Sequence, residues 1–154
     1  MLKIIMLILL CCSGLAQAIP TDIFLLRHSE KLSGKDPQLS PQGQQRSLEV
    51  AKLLAPYQPT LLLSTDYQRT QQTIAPLAQQ LKLKVTSYDP RKLTELADWI
   101  QRQTGVVVIV GHSNTTPQLT QLLSGLSVAP MAEHQYGTIY RITTTNQTST
   151  LTTL

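Results

Sequence analysis

The chain has 154 residues, 42% of them hydrophobic and 14% charged, with a formal charge of +4. That is enough for one domain with a real core. The basic residues do not cluster and aromatics make up only 5%, so the basic stripe with stacking partners that marks a nucleic-acid binder is missing. A mild positive excess suits a small anionic substrate.

In chain order, Lys3 supplies a positive start, Ile4 to Leu10 an apolar run, and Ala16-Gln17-Ala18 small residues for a signal peptidase. This layout predicts a secretory signal peptide over residues 1–18 and a single domain over 19–154. The apolar run falls short of the roughly 20 residues a membrane span needs, so no stable span is expected after cleavage. Cleavage leaves 136 residues, 154 less the first 18, and lowers the charge to +3 as Lys3 departs. Cys11 and Cys12 both lie in the leader, behind Leu9 and Leu10, where a lipid-attachment site favours small residues. The mature chain then has no cysteine for a disulfide, a thiol nucleophile or a thiolate metal site, which fits a periplasmic or secreted protein.

Ile23 to Leu26 reads as a strand that runs into Arg27-His28, and Lys31 to Gln38, with Gly34 and Pro37, as a loop. Ser40-Pro41 predicts a helix start, with Leu48, Ala51, Leu54 and Ala55 forming its stripe up to Pro56. Leu61 to Leu63 is the second strand. Asp66 to Gln80 is a helix with Pro76 as a kink or restart. Lys84 to Tyr88 is the third strand, and Pro90 opens a helix through Gln103 that Gly105 ends. Val106 to Val110 is β-branched and wholly apolar, as a central strand buried on both faces should be. Pro117 to Ser124 is a short helix. Thr138 to Thr143 and Thr148 to Thr153 alternate around Asn146-Gln147, which predicts an edge hairpin. The fold class is α/β: a three-layer α/β/α sandwich with a mostly parallel central sheet and a C-terminal antiparallel edge hairpin.

Ligands of such sheets bind at the carboxyl ends of the parallel strands. That rim should collect Arg27 and His28, then Ser64 and Arg69, then Asp89, then Gly111 and His112. A phosphate ester repels anionic nucleophiles, so its cleavage needs cations around the oxygens and an uncharged nucleophile in line with the leaving group. Neutral imidazole meets the second need and arginine forks the first. Guanidinium neighbours also lower the pKa of His28 and keep its attacking nitrogen free. Arg69, at a helix start, can point back over the rim, where the helix N-terminus favours an anion. Glu30 and Asp89 are rival donors of the proton that the leaving oxygen needs, with Asp89 preferred as the rim residue. Other schemes are absent: there is no Walker loop, no Gly-x-Ser-x-Gly elbow and no zinc-helix histidine spacing. His134, in Met131-Ala132-Glu133-His134-Gln135, reads as surface and receives no role.

Four ordered motifs resemble those of the histidine phosphatase superfamily, also called phosphoglycerate mutase-like. They are Leu26-Arg27-His28-Ser29-Glu30, with Ser in place of the family's Gly; Leu39-Ser40-Pro41-Gln42-Gly43; Ser64 through Arg69-Thr70-Gln71-Gln72-Thr73; and Val110-Gly111-His112-Ser113-Asn114. The resemblance covers most of residues 22–143. It implies that His28 becomes phosphorylated and that Arg27, Arg69 and His112 bind the phosphoryl oxygens. It places Asp89 about where many relatives carry a Glu proton donor. The expectation is an exported phosphomonoester phosphatase, without cofactor or metal, acting on a small phosphorylated substrate. A phosphomutase or phosphotransferase, and a phospho-ligand binder without turnover, are the alternatives.

Overall fold

The structure is a computed structural model that describes residues 19–145 and 148–154; the expected leader and the Asn146-Gln147 turn lie outside the described residues. Six strands form one sheet: β1 (Pro20–Arg27), β2 (Leu61–Thr65), β3 (Val85–Tyr88), β4 (Gly105–Gly111), β5 (Ile139–Thr145) and β6 (Thr148–Thr153). Their order is β3-β2-β4-β1-β5-β6. The first four strands of that order pair in parallel, and β5 and β6 add antiparallel on the β1 side. The expected edge hairpin is therefore present.

Helices α1 (Pro41–Leu54), α2 (Gln68–Leu81), α3 (Leu93–Ile100) and α4 (Thr115–Ser124) make the outer layers. Side chains alternate across a strand, so β1 serves two cores. Phe24 and Leu26 join Leu62, Val108 and Val110 against α1 and α2 through Leu54, Ile74 and Leu77. Ile23 and Leu25 join Leu63, Val107 and Ile109 against α3 and α4 through Leu93, Ile100 and Leu119. Each fully buried large side chain contributes roughly 1.5–3 kcal/mol. Among the described residues no helix is long and apolar enough to cross a membrane.

Helix α1 begins as its sequence predicts: the Ser40 hydroxyl accepts from the Gly43 amide at 3.1 Å, with Pro41 in the first turn. Helix α2 runs through Pro76 without a restart. Helix α3 is shorter than expected. The Asp89 carboxylate accepts from the Arg91 amide at 3.0 Å and the Asp89 carbonyl from Lys92 at 3.1 Å, so Pro90 sits in a turn instead of a first helical position. Gly105, expected to end that helix, opens β4 at φ +78°, with Thr60 filling the space a side chain would need. Helix α4 starts two residues before Pro117.

Candidate active site

Parallel pairing of β1 with β4 sets Arg27 beside Gly111, and the His28 amide continues the ladder to the Gly111 carbonyl at 2.9 Å. His28 and His112 therefore leave adjacent strand ends together, and their rings stand 5.7 Å apart between centroids. Gly111 permits this: a Cβ there would press on the Tyr88, Thr115 and Thr116 hydroxyls at 2.9–3.0 Å. Strand β2 delivers Thr65 to the same rim, and the first turn of α2 delivers Arg69.

His28 is 3% exposed. Its Nδ1 lies 2.7 Å from the Ser29 carbonyl, which only accepts, so Nδ1 carries the hydrogen and Nε2 keeps a free lone pair. Burial pulls the His28 pKa down to about 4; the Ser29 bond opposes this, and Arg27, Arg69 and His112 push the same way as burial. His28 is thus neutral at pH 7. His112 also falls to about 4, through burial and then Arg69 and Arg27. Its Nε2 meets the Thr65 hydroxyl at 3.0 Å, and that hydroxyl donates onward to Thr70, so His112 Nε2 is the donor of the pair. The other nitrogen faces Arg69 at 3.5 Å.

Arg27 is 4% exposed and has two tasks. Its Nη1 donates to the carbonyls of Ala132, Glu133 and Gln135 at 3.1, 2.7 and 3.1 Å, and its guanidinium stacks 4.2 Å over Tyr136. The segment between α4 and β5 is thereby tied down beside the histidines. Its Nε, like Nε of Arg69, is buried without a hydrogen-bond partner. Buried N–H groups normally have partners, and orphaned donors on two neighbouring cations suit an anion. Arg69 is itself oriented by stacking 4.5 Å over Tyr67 and by Asp36 at 3.5 Å. The two histidines, the two arginines and Tyr67 line a cleft of about 390 Å³ that also takes in Lys31, Ser113 and Glu133. A larger groove of about 830 Å³ between α1 and α2 holds no imidazole or guanidinium.

The structure brings His28, Arg27, Arg69 and His112 together, but it orients the two expected proton donors elsewhere. Asp89 does follow the end of β3 at the rim. Its carboxylate is forked to Arg91 Nε and Nη2 at 2.9 and 2.8 Å, which holds it at about 2, and it does not line the cleft. Arg91 stands two residues on and closes the same turn. Glu30 is clamped by Arg46 at 2.6–2.9 Å, and that bond holds its carboxyl below the usual range. The carboxylate that does line the cleft is Glu133, which the sequence reading passed over. The only signal for it was an acidic residue in the loop before β5. Ser29, in place of the family's Gly, has no positive φ, so its backbone is unstrained.

The sequence matches the family model of the histidine phosphatase superfamily, branch 1, over residues 23–97. No curated protein matches the chain. Several solved structures share the fold. SixA of Agrobacterium tumefaciens, assigned as a phosphohistidine phosphatase, is 21% identical, with a TM-score of 0.66 over 82% of this chain and 93% of that one. The protein histidine phosphatase SixA in complex with tungstate is 17% identical, with a TM-score of 0.67 over 85% and 94%. A mycobacterial glucosyl-3-phosphoglycerate phosphatase with inorganic phosphate is 16% identical, with a TM-score of 0.63 over 87% and 95%. Fold and rim together define an α/β protein of the kind that presents paired imidazoles and guanidiniums at strand ends. Residues 23–97 thus carry the sequence pattern of the histidine phosphatase superfamily, and the solved structures above share the fold around them. The matched stretch stops short of His112, which the β1–β4 pairing supplies.

Proposed function

We propose that this chain is an exported phosphomonoester hydrolase working through a phosphohistidine at His28. Nε2 of His28 attacks phosphorus, while Arg27 and Arg69 gather the phosphoryl oxygens and stabilise the charge of the transition state; His112, whose one N–H is given to Thr65, joins them once the bound anion draws a second proton onto its Nδ1. The alcohol departs, and water then attacks the phosphohistidine and releases phosphate. The observation that carries this reading is the fixed His28 tautomer, with Nε2 free and neutral beside two guanidiniums whose buried Nε groups lack partners. Those cations do the charge work, so the reaction proposed here requires no metal. Two relatives of the fold have been seen in complex with phosphate and with tungstate, which supports an oxyanion as ligand.

Release is favoured over retention for re-phosphorylation because only Asp89 to Lys92 connect β3 to α3, too few to cover the cleft. Export rests on the leader layout of residues 1–18. The test is rapid-quench detection of a phosphohistidine in the wild-type chain and in His28→Ala on an aryl phosphate, with and without chelator. We expect a trapped phosphoenzyme and chelator-resistant turnover in the wild type, and neither phosphoenzyme nor turnover in the variant. Binding without turnover marks a phospho-ligand binder. Isomerised product without free phosphate marks a mutase. N-terminal sequencing of the exported form checks cleavage after Ala18.

A further inference from the structure

We propose that Glu133 is the catalytic residue that passes the proton to the leaving oxygen and takes it back from water. This deepens the phosphatase reading above and rests on it. Three other carboxylates near this rim are committed, and Asp66, in the turn after β2, does not line the cleft. Glu30 is held by Arg46, Asp89 by Arg91, and Asp36 accepts from the Gln68 amide at 3.1 Å with Arg69 at 3.5 Å. None of the three lines the cleft, and Glu133 does.

Glu133 is built for the task in two parts. Its backbone is fixed, because its carbonyl accepts from Arg27 Nη1 at 2.7 Å. Its carboxylate stays adjustable, with the side chain 83% exposed. One oxygen touches the Ser113 hydroxyl at 2.7 Å, next in sequence to His112, and the other touches Arg27 Nη2 at 3.2 Å. The carboxylate thus rests on the guanidinium that the phosphoryl group is to occupy. Glu133, Ser113 and Asn114 also form the wall shared with a second cleft of about 450 Å³, in which Gln118, Gln121 and Met131 are uncharged. A group leaving toward that cleft passes the carboxylate.

The protons balance. A phosphate monoester monoanion brings one proton on a phosphoryl oxygen, which moves to the Glu133 carboxylate. As the lone pair of His28 Nε2 forms the N–P bond, the P–O bond breaks. The leaving oxygen keeps that pair and takes the proton from Glu133. In the second half the Glu133 carboxylate accepts a proton from the water whose oxygen attacks phosphorus. The N–P pair returns to Nε2, and the proton ends on the released phosphate. Ester and water have become alcohol and phosphate, with His28 and Glu133 unchanged. The Ser113 bond and then Arg27 hold Glu133 ionised at rest, the form the water step needs; a phosphoryl group on Arg27 weakens that hold and favours the acid form.

The experiment compares Glu133→Gln, Glu133→Asp and Asp89→Asn across phosphate esters whose leaving groups run from p-nitrophenol to simple alcohols. Gln keeps an oxygen for Arg27 and can donate its amide N–H to the Ser113 hydroxyl, but cannot carry the proton. We expect E133Q to lose about 10²–10⁴-fold on alkyl esters and about 10-fold or less on p-nitrophenyl phosphate, a steeper leaving-group dependence that E133D partly restores. An equal loss on every ester, no loss on any, or steepening in D89N instead overturns the proposal. A wild-type chain that hydrolyses no ester sinks the phosphatase reading as well. A wild type that forms phosphohistidine, with an unchanged slope in E133Q, sinks only the assignment of the proton.

Discussion

The amide of Ser29 donates to the Thr73 hydroxyl at 2.9 Å, and the same hydroxyl donates to the Arg69 carbonyl at 2.7 Å. One buried oxygen therefore joins the turn that carries His28 to the helix that carries Arg69. Thr73→Val keeps the shape and removes both bonds. We expect a loss of about 1–3 kcal/mol for the stranded Ser29 N–H, and a kcat lowered by up to about 100-fold as the two groups drift apart. Thr120→Val is the control. Its hydroxyl donates to the Thr116 carbonyl at 2.8 Å within α4 and bridges nothing in the site. Denaturant midpoints should fall in both variants and kcat only in the first.

Acid should weaken the fold before it stops the chemistry. Both site imidazoles sit near 4 against an ordinary 6.5, with burial as the leading cause. Between those values the unfolded chain takes up protons that the folded chain refuses. Stability from this source is complete above pH 6.5 and is lost as pH falls toward 4, by at most about 1.4 kcal/mol per pH unit for each imidazole. Urea midpoints at pH 7.5, 5.5 and 4.5 check this. The acidic limb of kcat/KM should lie near pH 4; a limb near 6.5 would contradict a desolvated nucleophile.

Arg27→Lys should fail despite keeping the charge. A lysine ammonium cannot serve three carbonyls, stack on Tyr136 and still present a side-on N–H to a ligand. We expect a loss of about 3–5 kcal/mol, as for a broken buried charge network, and a fall in kcat/KM of more than about 100-fold. Thermal melts and aryl phosphate kinetics read the two effects separately.

Tungstate or phosphate should stabilise the protein in proportion to the intact anion cup. At one hundred times its dissociation constant such an ion adds about 2.7 kcal/mol. The expected rise in Tm should vanish in Arg69→Ala. The Leu48→Ala variant, in the groove between α1 and α2, should keep it. Equal shifts in both would place the ion outside the cleft.

The sandwich was legible because β-branched and apolar runs alternate with helical stripes. The imidazole and guanidinium positions were legible because strand ends in a parallel sheet converge. Glu133 was not legible, since no periodicity governs its loop and its place depends on Arg27, 106 residues away. The direction of the Asp89 carboxylate was not legible for a local reason. A rim position says where a backbone ends but not which way a carboxylate turns, and Arg91 decided that. Pro90 misled in the same segment, because an aspartate-closed turn competes with a helix start.

Neighbouring strands in a sheet keep a nearly constant separation of about 4.8 Å. Because His28 and His112 issue from β1 and β4, which are immediate neighbours, that spacing gauges the gap between their rings. The catalytic aperture is thus ruled by the ladder itself, and surrounding loops are free to diversify around new alcohols without retuning the distance that fits a phosphoryl group.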